Sequence, residues 1–343
     1  MAINKLQLNN FRSYNKVEFE FNPKMTAIVG ANGSGKTNIL EAIYTLSMTK
    51  SFRGPLATTV QTGSDWFRIE AKLDSNETVA MKWQDSQKTM LFNEDAVSPQ
   101  EYLGTLPVVL FEPNHLDMVT GPPTLRRQWL DRVLSFTDRQ YLRALLHYRR
   151  SLRQRNNLLR RTHINQEQLF AWDVILSEQA EYIVKRRRSL VAAVAKSIPQ
   201  QYRSIAHTED KVGLRYRTNI PAKDYREQLL ALLQQRLVQD RRMGSTGVGP
   251  HRDDILLTYN GLPLAQHGSR GENRTAMLAL TMCELAYMRR HARSEPILLL
   301  DDVLSELDES RQQKLLSDIT DVQTIVTSTT MPSDIGEHAR IQL

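Results

Sequence analysis

Residues 30 to 37 read Gly30-Ala31-Asn32-Gly33-Ser34-Gly35-Lys36-Thr37, the spacing G-x-x-x-x-G-K-[ST]. An apolar stretch, MTAIV, precedes it and a helical pattern, NILEAI, follows, which is the context a phosphate-cradling loop requires. Glycines let successive backbone N–H groups turn toward a phosphate, and the helix start adds positive potential. Lys36 would carry charge to the β- and γ-phosphates, and the Thr37 hydroxyl would reach Mg²⁺. Such a loop serves many reactions, so it predicts a nucleotide and leaves the purpose open.

A second acidic element must hold Mg²⁺ and prepare the attacking water. Ile297-Leu298-Leu299-Leu300 forms an apolar strand that ends in Asp301 and Asp302. Asp301 is expected to hold the metal, and Asp302 to orient water. Upstream lies Ser269-Arg270-Gly271-Glu272, which alone reads as a helix cap. Between a phosphate loop and an Asp-Asp strand it reads instead as an anion clamp for a nucleotide held by a second subunit.

These residues must be positioned by elements far apart in the chain. Residues 2–111 are strand-like in texture: KLQLNNF, KVEFEFN, WFRIEAKL, TVAMKW and PVVLF, with one helix from Lys36 to about Met48. After Pro113, Gly121, Pro122 and Pro123 the pattern turns helical. Tyr141, Leu145, Tyr148, Leu152 and Leu159 share a heptad seam interrupted by Arg155. Leu169, Leu176, Ala180, Ile183, Leu190 and Val194 share another, with Asp173 and Arg187 as polar members. Two such helices joined near Thr162–Gln166 predict an antiparallel hairpin arm. The alternative is that both stripes pack on a globular core. A further helix is expected over Lys223–Arg242. The α/β rhythm then resumes: a strand in DDILLTYNG, a helix over Glu272–Arg290, strands at Ile297–Leu300 and Thr324–Val326, and a helix after Asp308. The predicted organisation is an ATPase domain split into 1–112 and 246–343, with a helical domain, 113–245, inserted.

Charge follows the same division. The chain of 343 residues has a net charge of +7. Residues 126–242 hold 25 Lys and Arg against 11 Asp and Glu, a net of +14, and the remainder carries −7. A basic middle third is the footprint of a polyanion-binding element such as DNA, the alternative being an arginine-rich solvated surface. Arg149, Arg150, Arg153 and Arg160 represent that face. The absence of an apolar run near the ~20 residues of a membrane span, the lack of a signal-peptide pattern and a single cysteine, Cys283, lead us to expect a cytoplasmic protein without a membrane role.

Further motifs fix a resemblance: Asn10-Phe11-Arg12-Ser13-Tyr14, Lys50-Ser51-Phe52-Arg53, Arg126-Arg127-Gln128-Trp129-Leu130-Asp131, Gly249-Pro250-His251-Arg252-Asp253-Asp254 and DDVLSELD. With the phosphate loop they span residues 10 to 308, and the set resembles the SMC-like class of ABC-type ATPases, most closely the RecF family of bacterial recombination mediators. The resemblance implies an α/β, ABC-type (SMC-like) P-loop ATPase head with an inserted helical arm domain. It implies ATP and Mg²⁺ as cofactors and an ATP-dependent homodimer. It also implies DNA binding at gaps and single-strand/double-strand junctions, with RecO and RecR assisting RecA loading in recombinational repair and the SOS response. The ATPase is expected to be weak, DNA-stimulated and used as a switch. Arg12 matches the residue set against base or ribose; Ser269, Arg270 and Gly271 match the signature segment; Asp308 matches the loop touching the opposite nucleotide. Three departures stand out. Glu272 replaces the usual glutamine, Thr327 or Thr329 stands where many relatives of the class place a switch histidine, and Glu112 sits where a glutamine is expected. A transporter ATPase would have a compact, less basic helical lobe, a nuclease-coupled ATPase would need another domain, and a purely structural SMC-like protein a longer coiled coil. Another SMC-like ABC ATPase acting on DNA is the remaining alternative.

Overall fold

The computed structural model describes residues 2–112, 116–163, 165–304, 312, 315–317, 319, 321–330 and 339–343. Asp308 lies outside them; of the helix expected after it, residues 312 and 315–317 are described and are helical. The chain opens with β1 (Ile3–Phe11), β2 (Tyr14–Glu20), β3 (Met25–Val29) and α1 (Lys36–Met48). There follow β4 (Trp66–Leu73), β5 (Thr78–Gln84), β6 (Gln87–Phe92), β7 (Asp95–Ala96), α2 (Pro99–Tyr102) and β8 (Val108–Phe111). The helical stretch is α3 (Asp117–Thr120), α4 (Pro123–Thr137), α5 (Arg139–Leu159) and α6 (Gln166–Ala206). Next come β9 (Val212–Arg217), α7 (Tyr225–Gln235), α8 (Leu237–Met243), β10 (Asp254–Tyr259), β11 (Leu262–Pro263) and α9 (Leu264–His267). The chain ends with α10 (Arg270–His291), β12 (Ile297–Asp301), β13 (Thr324–Ser328) and β14 (Ala339–Gln342).

Two compact units result, one of residues 1–115, 203–208 and 277–343, the other of 116–202 and 209–276. In the first, a parallel five-stranded sheet runs β14-β3-β13-β12-β8 and an antiparallel six-stranded sheet runs β2-β1-β4-β5-β6-β7. All five residues of β3, of β12 and of β13 are buried, the continuous burial expected of parallel strands covered on both faces. β4 instead alternates between less and more buried positions, as a strand with one face in the core should. Ile39, Leu40, Ile43 and Leu46 of α1 share one core with Leu6, Phe67 and Ile69 of the antiparallel sheet and Val108, Leu110 and Leu299 of the parallel one. This fixes the phosphate-loop helix against both sheets.

The second unit contains the predicted hairpin, α5 and α6, with a turn at the expected place. Its two seams close on each other through the polar members as well as the apolar ones. Arg155, fully buried, donates from Nε to Asp173 at 2.6 Å and from Nη1 to Asp240 at 2.8 Å and Thr246 Oγ1 at 2.8 Å. Its Nη2 donates to the Leu233 carbonyl, so α7 and α8 are tied to the hairpin there. At the far end Leu158, Leu159 and Leu169 form a cluster joined by Trp172 and Leu237. The distal stripes therefore pack on neighbouring helices of their own unit and do not form a free coiled coil.

Several boundaries differ from expectation. The single helix expected over Lys223–Arg242 is broken at Arg236, whose φ of −89° and ψ of 3° end α7 and start α8. β6 and β9 were not predicted, although QKTMLF and VGLRYR have the composition of short strands. Residues 246–276, expected with the ATPase domain, belong to the second unit. The cause is β9: it pairs antiparallel with β10, from Val212↔Tyr259 to Arg217↔Asp254. Asp254 also takes a bidentate pair from Arg126 of α4, at 2.7 and 3.0 Å.

Candidate nucleotide site

The glycine-rich loop leaves the carboxyl end of β3, and Asp301 ends β12. Between those strands lies β13, so the three carboxyl ends are neighbours, where ligands of open α/β sheets bind. Thr37 Oγ1 donates to Asp301 Oδ1 at 3.0 Å, and Thr327 Oγ1 of β13 donates to the same oxygen at 2.7 Å. The Asp302 N–H donates in turn to Thr327 Oγ1 at 3.0 Å. Thr327 is fully buried, with its hydroxyl committed as both donor and acceptor. It orients the acidic pair from behind, which accounts for a threonine at this position of the strand. Burial raises the Asp301 carboxyl above its usual range, the neighbouring Asp302 adds to this, and the two threonine hydroxyls and Arg53 pull it back. Asp302 holds a left-handed φ of 52°, a conformation that non-glycine residues adopt mainly where surroundings impose it.

The loop fits a phosphate by three independent features. Helix α1 begins at Gly35 with no side-chain cap, so its first N–H groups face outward. Among the described residues, the buried Ser34 Oγ has no hydrogen-bond partner. Lys36 Nζ turns back onto the loop, donating to the Gly30 carbonyl at 2.7 Å and the Ala31 carbonyl at 2.9 Å, partners a phosphate would replace. Gly35 is obligatory on two counts: its φ is 103°, and a Cβ there would lie 2.6 Å from Tyr14 Oη. No three His, Cys, Asp or Glu side chains gather as a metal cage among the described residues. A Mg²⁺ site of one carboxylate, one hydroxyl and phosphate oxygens needs none.

Arg12 sits in the same unit but is heavily engaged. Its Nε and Nη2 pair with Glu41 at 2.9 and 2.6 Å, and Nη1 donates to the Thr58 carbonyl at 2.7 Å. Glu41, fully buried on α1, also accepts from Ser51 Oγ at 2.5 Å and Arg53 at 3.5 Å. One carboxylate thus joins the Asn10–Tyr14 motif to the Lys50–Arg53 motif. Sequence reading missed Glu41; the available signal was its position four residues after Thr37, on the same helix face. Glu112 follows β8 and is buried.

Ser269, Arg270 and Gly271, expected to be the signature segment, lie in the second unit. The Ser269 N–H donates to Glu272 Oε2 at 2.6 Å, and the Glu272 N–H donates to Ser269 Oγ at 3.3 Å. This is a reciprocal capping box at the start of α10. Glutamate and glutamine both accept from the cap, which explains why Glu272 can replace glutamine. Hydrogen bonds from the Ser269 backbone and the Tyr259 hydroxyl hold the Glu272 carboxyl below its usual range. Ser269, Arg270 and Gly271 are exposed.

Of the four representative arginines, Arg150 and Arg153 are exposed on α5. Arg149 is half exposed and pairs with Asp131 at 2.8 Å, and Arg160 donates to the Gly244 carbonyl at 3.0 Å. No described helix is long and apolar enough to cross a membrane.

Comparison with known proteins agrees with this geometry. The family model described as RecF/RecN/SMC N terminal domain matches residues 2–334. The chain is 34% identical over 338 residues to the DNA replication and repair protein RecF of Agathobacter rectalis, covering 96% of this chain and 92% of that one. It is 33% identical to the protein of the same name from Geobacter sulfurreducens, covering 96% and 93%. Among solved structures, the recombination mediator protein RecF-ATP of the RecFOR pathway matches with TM-score 0.90 at 30% identity, covering 97% of this chain and 93% of that one. An SMC head bound to the C-winged helix domain of ScpA, at TM-score 0.56 and 16% identity over 96% of this chain and 90% of that one, shares the fold alone. The architecture is that of an ABC-type, SMC-like ATPase head, and agreement in sequence and backbone runs almost end to end. The chain belongs to the RecF family, within the wider RecF/RecN/SMC group.

Proposed function

We propose that this protein is an ATP-gated DNA clasp acting in DNA replication and recombinational repair. ATP and Mg²⁺ bind at the loop 30–37, two protomers close around the nucleotides, the closed dimer holds DNA, and hydrolysis releases it. The observation that carries the reading is the Thr37–Asp301–Thr327 chain of hydrogen bonds at the carboxyl ends of three adjacent parallel strands. A bound Mg²⁺ would neutralise charge on the phosphates. Thr37 and Asp301 hold it, Lys36 leaves the loop carbonyls for the phosphates, and Asp302 orients water. Arg12 keeps its Glu41 pair and offers its outer edge to base or ribose. The exposed Ser269-Arg270-Gly271 start of α10 caps the nucleotide of the other protomer, with Asp308 contributing at the same interface. Without a switch histidine, hydrolysis is slow and serves as a DNA-stimulated timer. The names of its relatives, DNA replication and repair protein and a mediator of the RecFOR pathway, support a role in recombinational repair; action with RecO and RecR at gapped DNA and strand junctions, where RecA is loaded in the cytoplasm, is part of the same proposal.

Sedimentation with ATP tests the clasp. Wild type should dimerise, Asp302→Asn should give a longer-lived dimer because ATP persists, and Ser269→Arg should bind ATP yet remain monomeric. Dimerisation of Ser269→Arg would remove the shared-site mechanism. For DNA, reversing Arg150 and Arg153 together should lower the slope of log affinity against log salt by about 1.8, at about 0.9 per lost phosphate contact. An unchanged slope would place the DNA elsewhere.

A further inference from the structure

A cavity of about 170 Å³ opens in the second unit between α4, α5, α6 and the Gly249–His251 loop. Leu145, Leu152, Ile183 and Pro250 make an apolar floor. An engineered apolar cavity of about 150 Å³ holds one benzene ring, so this space matches a single six-membered ring. Its polar lining is unusual in charge. Arg149 and Arg187 share one carboxylate, Asp131, at 2.8 and 2.7 Å. Among the described residues, Arg127 donates to neutral oxygens, the Asp253 carbonyl at 2.9 Å and Thr124 Oγ1 at 3.1 Å.

His251 adds no charge. Its Nε2 faces the Thr246 carbonyl at 3.0 Å, which requires a proton there, so Nδ1 accepts from Tyr148 Oη at 2.6 Å. Burial lowers its pKa to about 4, keeping it neutral. Three guanidiniums and one carboxylate therefore line the cavity, a positive excess that Asp254 beside Arg127 and Asp253 beside Arg187 offset only from outside the lining. Burial pushes the Arg127 pKa down, the charges of Arg187 and Arg252 add to this, and Asp254 and Asp131 oppose it. An anion between Arg127 and Arg149 would meet that positive excess. Arg149 is half exposed at the rim, and Arg153 follows it one turn later on the same face of α5.

We propose that this cavity receives one unpaired pyrimidine nucleotide of a DNA strand, its ring on the Leu145–Leu152–Ile183 floor and its phosphate between Arg127 and Arg149. This rests on the DNA-clasp reading above and deepens it: the pocket supplies the preference for gaps and junctions. An unpaired nucleotide enters without the few kcal/mol that breaking a pair costs, whereas a continuous duplex must break one. The strand leaving the pocket continues past Arg153.

The test uses the full chain with ATP, a gapped duplex carrying a fluorescent pyrimidine in its single-stranded stretch, and the matching continuous duplex. Wild type should prefer the gapped DNA and change the fluorescence of the buried ring. Leu152→Trp, which fills the floor, should lose roughly tenfold in gapped-DNA affinity and the fluorescence change. It should keep continuous-duplex affinity within twofold and bind ATP normally. Arg149→Gln should lower the salt slope on gapped DNA by about 1 more than on continuous duplex; it also serves if Leu152→Trp melts early. A Leu152→Trp protein that folds and keeps both preference and signal overturns the pocket, as does an Arg149→Gln slope equal on the two DNAs. Saturable binding of free thymidine monophosphate that competes away no DNA would overturn the strand assignment. Wild type that binds duplex without gap preference sinks the pocket alone; wild type that binds no DNA sinks the clasp itself.

Discussion

Buried charge is handled in opposite ways in the helical unit and at the phosphate loop. In the helical unit nearly every buried arginine discussed above meets a carboxylate: Arg155 meets Asp173 and Asp240, Arg187 meets Asp131, and Arg126 meets Asp254. At the phosphate loop, buried Lys36 meets only backbone carbonyls among the described residues. A charge closed off by its own counter-ion is structural, because a new ligand would have to displace a buried partner. A charge resting on neutral oxygens gains on meeting an anion. The excess of +14 in the middle of the sequence is therefore not one uniform DNA surface. Part of it locks the arm together, and only the remainder can face phosphate.

The comparison can be broken most forcefully at Arg155. Arg155→Ala leaves Asp173 and Asp240 buried without their cation, and should cost about 3–5 kcal/mol in denaturant unfolding. Replacing all three by apolar residues, Arg155→Met with Asp173→Leu and Asp240→Leu, should recover most of that stability. If the single and triple variants are equally unstable, the cluster is not acting through paired charge.

Lys36→Ala tests the other side. Removing it should leave the melting temperature close to wild type while ATP turnover falls by at least ~100-fold, the scale for losing one transition-state charge donor. A large loss of stability with retained turnover would mean that Lys36 is structural too.

His251 sharpens the contrast through pH. Its folded pKa of about 4 lies below the ordinary 6.5, because burial opposes the charged form. The unfolded chain then binds the extra proton first, so stability is intact above pH 6.5 and is lost as pH falls toward 4. The loss should reach about 2 kcal/mol by pH 5. His251→Gln should be less stable at pH 7 but lack this part of the slope, as read from urea midpoints across pH. Identical slopes would show that His251 is not held neutral.

The smallest effect belongs to the signature helix. Ser269→Ala removes half of the capping box and should cost about 1 kcal/mol. Glu272→Gln keeps an acceptor and should cost a few tenths, with no change in ATP-dependent dimerisation. A dimerisation defect in Glu272→Gln would mean that its charge acts at the partner's nucleotide and not at its own helix.

Much of the site is legible in the sequence. Gly30–Thr37 announces its chemistry because the spacing itself forces the backbone turn, and α1 spans the predicted Lys36–Met48. The hairpin was legible because a heptad repeat records which face is buried. The seam's apparent defects, Arg155, Asp173 and Arg187, were read only as interruptions. Nothing in a linear pattern says that two interruptions 18 residues apart face each other, at 2.6 Å in the case of Arg155 and Asp173.

The sequence by itself determined local chemistry: a phosphate loop, a strand ending in two aspartates, a capped Ser-Arg-Gly helix start and a basic helical insertion. Each of these depends on residues within one or two turns, where spacing dictates geometry. Only the tertiary structure decided partners. It placed β13 between β3 and β12, so that Thr327 backs Asp301, and it joined Arg126 to Asp254 across 128 positions. It also moved residues 246–276 into the helical unit, through the pairing of β10 with β9. The reason is physical. Strand order and ion pairing between distant segments are selected by total burial and charge compensation over the whole fold, which no local window of sequence contains.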